Sequence, residues 1–107
     1  DAMKNCSVKY ALDVLSGKWK LYIMYVLSSQ EEIRFNELQR RVDGISATML
    51  SQNLRELEKA KLILRHEYKE IPPHVEYSLS DIGKELSPAL DALGQWGHQL
   101  YLLNEKQ

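Results

Sequence analysis

The chain has 107 residues, 44% of them hydrophobic, with 14 Lys and Arg against 15 Asp and Glu and a single cysteine. That is enough for one domain (1–107) with a modest core and no disulfide or metal support. No stretch is apolar for the roughly 20 residues a membrane helix needs, and no basic-then-apolar leader is visible, so a reducing cytoplasm is the expected setting.

The first helix is read from Ser7 as N-cap, with Val8, Ala11, Leu12 and Leu15 on one face and Ser16-Gly17 as its stop. A second helix carries Trp19, Tyr22, Ile23, Val26 and Leu27 and closes in the polar loop 28–32, which makes 7–29 an N-terminal helical scaffold. Ile33-Arg34-Phe35 is too short for an independent strand, but a residue or two is placed to pair with a later hairpin. Asn36 is read as the N-cap of a short helix with Leu38 and Val42 inward. Asp43-Gly44 then supplies a residue that tolerates positive φ at a sharp turn, over a buried Ile45.

From Ser46 to about Lys61 the pattern is again helical. At 100° per residue Leu50, Leu54, Leu57 and Lys61 share one side, with Ala47 nearby, and Thr48, Gln52, Arg55 and Lys59 fall opposite. Residues 35–61 therefore read as a helix-turn-helix. Over 62–79, Leu62, Leu64, His66 and Tyr68 alternate with Ile63, Arg65, Glu67 and Lys69, and Val75, Tyr77 and Leu79 alternate with Glu76 and Ser78. Period two on both sides of a turn predicts an antiparallel hairpin, with Pro72-Pro73 making its tip extended and stiff. In 80–103, Ser80 caps a helix containing Ile82 and Leu86, and Ser87-Pro88 reads as a second N-cap with Pro at the first helical position. Leu86, Leu90, Leu93, Gly97 and Leu100 then step as a helix seam, and Gly94 and Gly97 beside Trp96 leave room for another helix.

The predicted class is mainly α with a small antiparallel hairpin, a winged helix-turn-helix. The formal charge of −1 conceals an asymmetry, because residues 34–69 hold eight cations against five anions, a local +3 that leaves −4 elsewhere. A basic middle between acidic ends suits a surface facing nucleic-acid phosphates. On the Ser46 helix, Ser46, Thr48, Ser51, Gln52, Arg55 and Lys59 are the candidate DNA contacts, since Gln matches the N6/N7 edge of adenine and Arg matches guanine or a phosphate. Arg34, Asn36, Arg65, Lys69 and His74 are the candidates from the wing and its flank. The plain alternative for both groups is a solvated polar surface.

Cys6 stands near a helix start, with Lys4 and Lys9 close in sequence, which fits either a redox-sensing thiol or a small buried hydrophobe. His66, His74 and His98 are dispersed without ligand spacing, so no metal or other cofactor is expected. No phosphate loop, nucleophile elbow or metalloprotease segment occurs, and catalysis has no support. The seam at the C-terminus is either the cover of the core or a dimer interface, with Val8, Leu12, Leu90, Leu93, Trp96, Gly97 and Leu100 as the interface candidates.

From Cys6 to about Gly97 the chain resembles the HxlR family of bacterial winged-helix regulators, relatives of the MarR type. The resemblance is carried by C-S-V-K-Y-A-L-D-V-L-S-G-K-W-K, R-F-N-E-L, G-I-S-A-T-M-L-S-Q-N-L-R-E-L-E, P-P-H-V-E-Y-S-L-S-D-I-G and A-L-G-Q-W-G. It implies a homodimer formed by the terminal helices, a recognition helix from Ser46, a wing at Pro72-Pro73, and a Cys6 at the position several members use to sense oxidants or electrophiles. At His74 the family often carries Arg or Lys, so a mostly neutral His implies a weaker phosphate grip by the wing. The expectation is a cytoplasmic repressor that binds double-stranded operator DNA as a homodimer and answers to an oxidant or small-molecule effector. The rival reading is a winged helix used only for protein–protein contact.

Overall fold

Three leucines spaced four and three residues apart organise the centre of the molecule. Leu50, Leu54 and Leu57 are 0%, 1% and 0% exposed in the computed structural model, which describes residues 6–105. Each is worth about 1.5–3 kcal/mol when taken out of water. Their helix, α4 (Ala47–Lys59), is preceded by α1 (Ser7–Val14), α2 (Lys20–Leu27), β1 (Ile33–Arg34) and α3 (Phe35–Arg41). It is followed by β2 (Ile63–Tyr68), β3 (His74–Leu79), α5 (Asp81–Glu85) and α6 (Ser87–Glu105).

Helix α2 is apolar on most sides because it is central: Ile23, Met24, Val26 and Leu27 are buried, and the helix touches α3, β3 and α6. Leu38 and Val42 close the core from α3, as their spacing predicts, and Ile33, Ile63, Tyr77 and Leu79 close it from the sheet. The sheet is antiparallel in the order β1-β3-β2, with Ile33 opposite Tyr77 and Ile63 opposite Leu79. The architecture is a winged helix-turn-helix.

Several local expectations need correction. Cys6, not Ser7, occupies the N-cap position of α1, and α1 buries none of its residues within the chain. Arg34, not Asn36, precedes α3, because Phe35 is drawn into the helix by packing on the core. Ala47 is exposed, and Lys61 lies beyond the end of α4. Lys61 adopts φ +68° while its N–H reaches Glu58 O at 2.9 Å and the Leu62 N–H reaches Leu57 O at 3.0 Å. Those two bonds are a Schellman termination, in a residue that lacks the usual glycine.

In the hairpin the cross-strand pairing decides which of the two alternating sets faces the core. Ile63, Arg65 and Glu67 pair with Leu79, Tyr77 and Val75 on the core side, and Leu64, His66 and Tyr68 face the other way with Ser78, Glu76 and His74. Residues 70–72 bend to close the hairpin instead of running extended, and the Ile71–Pro72 peptide is cis. Leu86, not Ser87, accepts the first bond of α6, from the Leu90 N–H at 3.0 Å.

Two joints hold the frame in register. Gly44 takes φ +87° between α3 and α4, a conformation that side chains resist. At the other joint the Ser80 hydroxyl accepts from the Gly83 N–H at 3.1 Å and donates to Lys61 O at 2.7 Å, tying α5 to the end of α4. The approach is so close that a Cβ at Gly83 would sit 2.2 Å from the backbone oxygen of Leu62. Gly83→Ala should therefore cost about 1–3 kcal/mol through overpacking. A urea midpoint that does not move would show that this joint yields freely.

Candidate nucleic-acid interface

Burying one side of α4 decides what the other side can do. With Leu50, Leu54 and Leu57 turned inward, Thr48, Gln52, Arg55 and Lys59 all stand exposed, and Ser51 is half-buried at their edge. Ser46 accepts from the Met49 N–H at 3.1 Å, so the cap uses its hydroxyl as an acceptor and leaves the O–H to donate. No acidic residue lies in the first turn, which leaves the positive end of the helix dipole unopposed there. Among the described residues neither Arg55 nor Lys59 forms an ion pair within 4.0 Å.

Asn53 takes a place on the buried side, donating to Met49 O at 2.8 Å. Leucine periodicity alone does not reveal it. A second feature that sequence reasoning missed is Lys20, which is only 7% exposed. Its ammonium group meets Glu56 Oε1 at 2.7 Å and Ser16 O at 3.1 Å, and Glu56 Oε2 accepts a longer bond from the Gln52 amide at 3.4 Å. The available signal was a charged residue opening an otherwise apolar helix, K-L-Y-I-M-Y-V-L, since a buried cation requires a partner.

On the wing, Arg65 lies on the core side of β2 and contacts Glu67 Oε1 at 2.9 Å. Glu67 first, and the Tyr77 hydroxyl after it, hold the guanidinium still more firmly charged. Lys69 is exposed just before the bend, without an ion pair among the described residues, and Ile71 projects fully into solvent. His74 is placed differently from expectation. Its side chain is 14% exposed, stacks on Tyr68 with ring centroids 4.8 Å apart, and has its two nitrogens 2.9 Å from Glu76 and 3.7 Å from Glu70.

Arg34 joins that outer cluster, 3.8 Å from Glu76, while Asn36 is exposed in the first turn of α3. The Tyr68 hydroxyl donates to Glu32 at 2.5 Å, and that carboxylate, helped by burial, pushes the phenol up to about 12. Arg65 and His74 thus sit on opposite faces of the hairpin. Arg65 and Lys69 are exposed on the hairpin that follows α4, whereas His74 and Arg34 are turned toward the outer carboxylates.

The terminal helices carry a different chemistry. Val8 and Leu12 on α1 and Leu93, Trp96 and Leu100 on α6 are exposed apolar residues, Val8 and Trp96 by 74% and 61%. Gly97 is half-buried, and a Cβ built on Gly94 or Gly97 would meet nothing within 4 Å. Leu90 belongs to the core and only backs the open groove between α2 and α6. Cys6 is exposed and free, whereas Lys4, its expected neighbour, lies outside the described residues. Lys9 is engaged with Asp13 at 2.9 Å. Among the described residues no group of three His, Cys, Asp or Glu could hold a metal ion, and no helix is long and apolar enough to cross a membrane.

A capped helix offset from a second by a tight turn, with a hairpin at its flank, is a winged helix-turn-helix, and the relatives that share it are transcriptional regulators of the helix-turn-helix type. The chain belongs to the family of HxlR-like helix-turn-helix proteins, which matches it over residues 14–105. It is 46% identical over 88 residues to an HTH-type transcriptional regulator of Halalkalibacterium halodurans, covering 82% of this chain and 78% of that protein. Its fold matches the reduced form of the redox regulator HypR with a TM-score of 0.84 at 37% identity, over 94% of this chain and 99% of that one. It also matches the reduced form of the transcriptional regulator YodB of Bacillus subtilis with a TM-score of 0.75 at 29% identity, over 87% of this chain and 90% of that one.

The Lys20–Glu56 contact has a pH signature. The Lys20 hydrogen bond and then its charge hold the Glu56 carboxyl below its usual 4.5, with Gln52 contributing less. A depressed folded-state pKa gives stability that is present above the unfolded value and lost as pH falls through the folded one. Glu56→Gln should therefore be less stable than the wild type near neutrality, and the two melting temperatures should converge below pH about 4.5. A gap that stays constant from pH 7 to pH 3 would deny the pair any role in stability.

Proposed function

We propose that the protein is a cytoplasmic, homodimeric repressor that binds a pseudo-palindromic DNA operator, with α4 as the recognition helix in the major groove and the hairpin as its wing. The observation that carries this reading is the exposed row Thr48, Gln52, Arg55 and Lys59, held outward by the buried leucines, with Arg65 and Lys69 exposed on the hairpin that follows. Thr48, Ser51 and Gln52 are proposed to meet base edges, Arg55 a base or a phosphate, and Ser46, Lys59, Asn36, Arg65 and Lys69 the backbone. Arg34 and His74 are assigned no direct contact, because both are turned to Glu76.

A second copy is proposed to cover the apolar surfaces of α1 and α6, through Val8, Leu12, Leu93, Trp96, Gly97 and Leu100, and the groove of about 900 Å³ between α2 and α6. Monomeric proteins seldom leave so many large apolar side chains together in water. Twofold pairing would set the two recognition helices ~34 Å apart, one turn of the duplex. Control is proposed to reach that spacing through α1, whose exposed Cys6 is open to an oxidant or electrophile. The redox role of HypR supports this part of the reading.

The test is binding to an operator selected from the organism's own genome and to a random duplex, measured over a salt series. Gln52→Ala should cost about 1–3 kcal/mol on the operator and little on random DNA, and Lys69→Ala should weaken both alike and flatten the salt slope by about one unit. Equal losses from Gln52→Ala on both duplexes would refute base reading. A wild-type protein that binds no duplex at low salt would instead favour a protein–protein module.

A further inference from the structure

We propose that Lys20 is a positioning residue that couples the base of α1 to the reading face of α4; the assignment rests on the function proposed above. Among the described residues it is the only charged residue in the buried class, and its ammonium joins two segments that do not follow one another in the chain. One contact is Ser16 O, two residues beyond α1; the other is Glu56, in the last turn of α4. Glu56 presents its second oxygen to the amide of Gln52, one turn earlier on the same helix and inside the exposed row. The chain of contacts therefore runs from the base of α1 to a candidate base-reading side chain.

The neighbouring residue braces the same junction. Trp19 reaches the turn between α3 and α4, where a Cβ at Gly44 would lie 3.8 Å from its ring, so the start of α2 meets the turn through Trp19 and α4 through Lys20. Helix α1 has no buried residue of its own, which leaves its direction to whatever covers it, with Gly17 at φ +101° just beyond its end. A swing of α1 displaces Ser16 O, and a buried ammonium deprived of one acceptor must move or lose solvation it cannot recover from water. Its movement draws Glu56, and the Gln52 amide changes partner. The ion pair thus serves selectivity more than stability, since an apolar replacement of similar length removes the burden of a buried charge.

The test has one arm without DNA and one with it. In the first, the amide resonance of Gly17 is followed by NMR in the wild type, Glu56→Gln, Lys20→Met and the double variant. Glu56→Gln should shift Gly17 when Lys20 is present and leave it in place when residue 20 is Met. A Gly17 resonance indifferent to Glu56→Gln, or one that responds equally in both backgrounds, overturns the coupling. In the second arm, Lys20→Met should lower the ratio of operator to random-duplex affinity by about tenfold, within the range such couplings span, with random-duplex affinity unchanged. The double variant should lose no more than either single one. An unchanged ratio, or equal loss on both duplexes, removes Lys20 from the control of reading. If the wild type binds no duplex, the functional reading fails while the first arm still decides the coupling.

Discussion

Everything on the candidate DNA-facing surface depends on the contact of Leu50, Leu54 and Leu57 with the core. A helix has one rotation about its axis, and three leucines buried against α2, α3 and the sheet choose it. Once that choice is made, Thr48, Gln52, Arg55 and Lys59 have nowhere to point except outward. The Ser46 cap and the Schellman bonds at Lys61 set where the helix starts and stops, and the Ser80–Gly83 joint fixes the hairpin against its end. Sequence-selective reading needs this rigidity, because a side chain that wanders by an ångström cannot distinguish donor and acceptor patterns on base edges.

Charge acts locally here. A chain of formal charge −1 can still meet a polyanion if its cations are free where contact occurs and neutralised elsewhere. The arrangement is partly of this kind: among the described residues Arg55, Lys59 and Lys69 have no ion pair and Lys9, Arg34 and Lys20 are matched to carboxylates, although Arg65 on the wing is paired with Glu67. The apolar side chains on α1 and α6 are separated in the same way, lying on helices that contribute no residue to the α4 row. One surface is proposed to meet phosphate and base edges, the other a second copy.

Much of this was legible in the residues, for reasons that also explain what was not. The leucine spacing, the turn at Gly44 and the capping serine at Ser80 depend on neighbours within a few positions, and the structure has each of them where the residues place it. The hairpin was legible as a hairpin, but its inward face was not. Leu64 and Ile63 are both apolar, and only pairing of Ile63 with Leu79 across the sheet decides between them. Lys61 looked helical because nothing in its side chain announces a left-handed backbone, and Asn36 looked like a cap because the pull of the core on Phe35 is tertiary. Lys20 and Glu56 are separated by 36 residues, beyond the reach of any periodicity. The family resemblance matched the fold and the regulator class, while the packing of His74 on the outer face follows from Tyr68, Glu70 and Glu76 around it.

The central claim is geometric: one outward-facing row per subunit, presented twice to the same side of a duplex. Hydroxyl-radical footprinting of the wild-type protein on its selected operator tests it most directly. The account predicts two protected patches on one face of the DNA, with centres about 10 base pairs apart or a whole multiple of that. A single patch, or two patches on opposite faces, would contradict it.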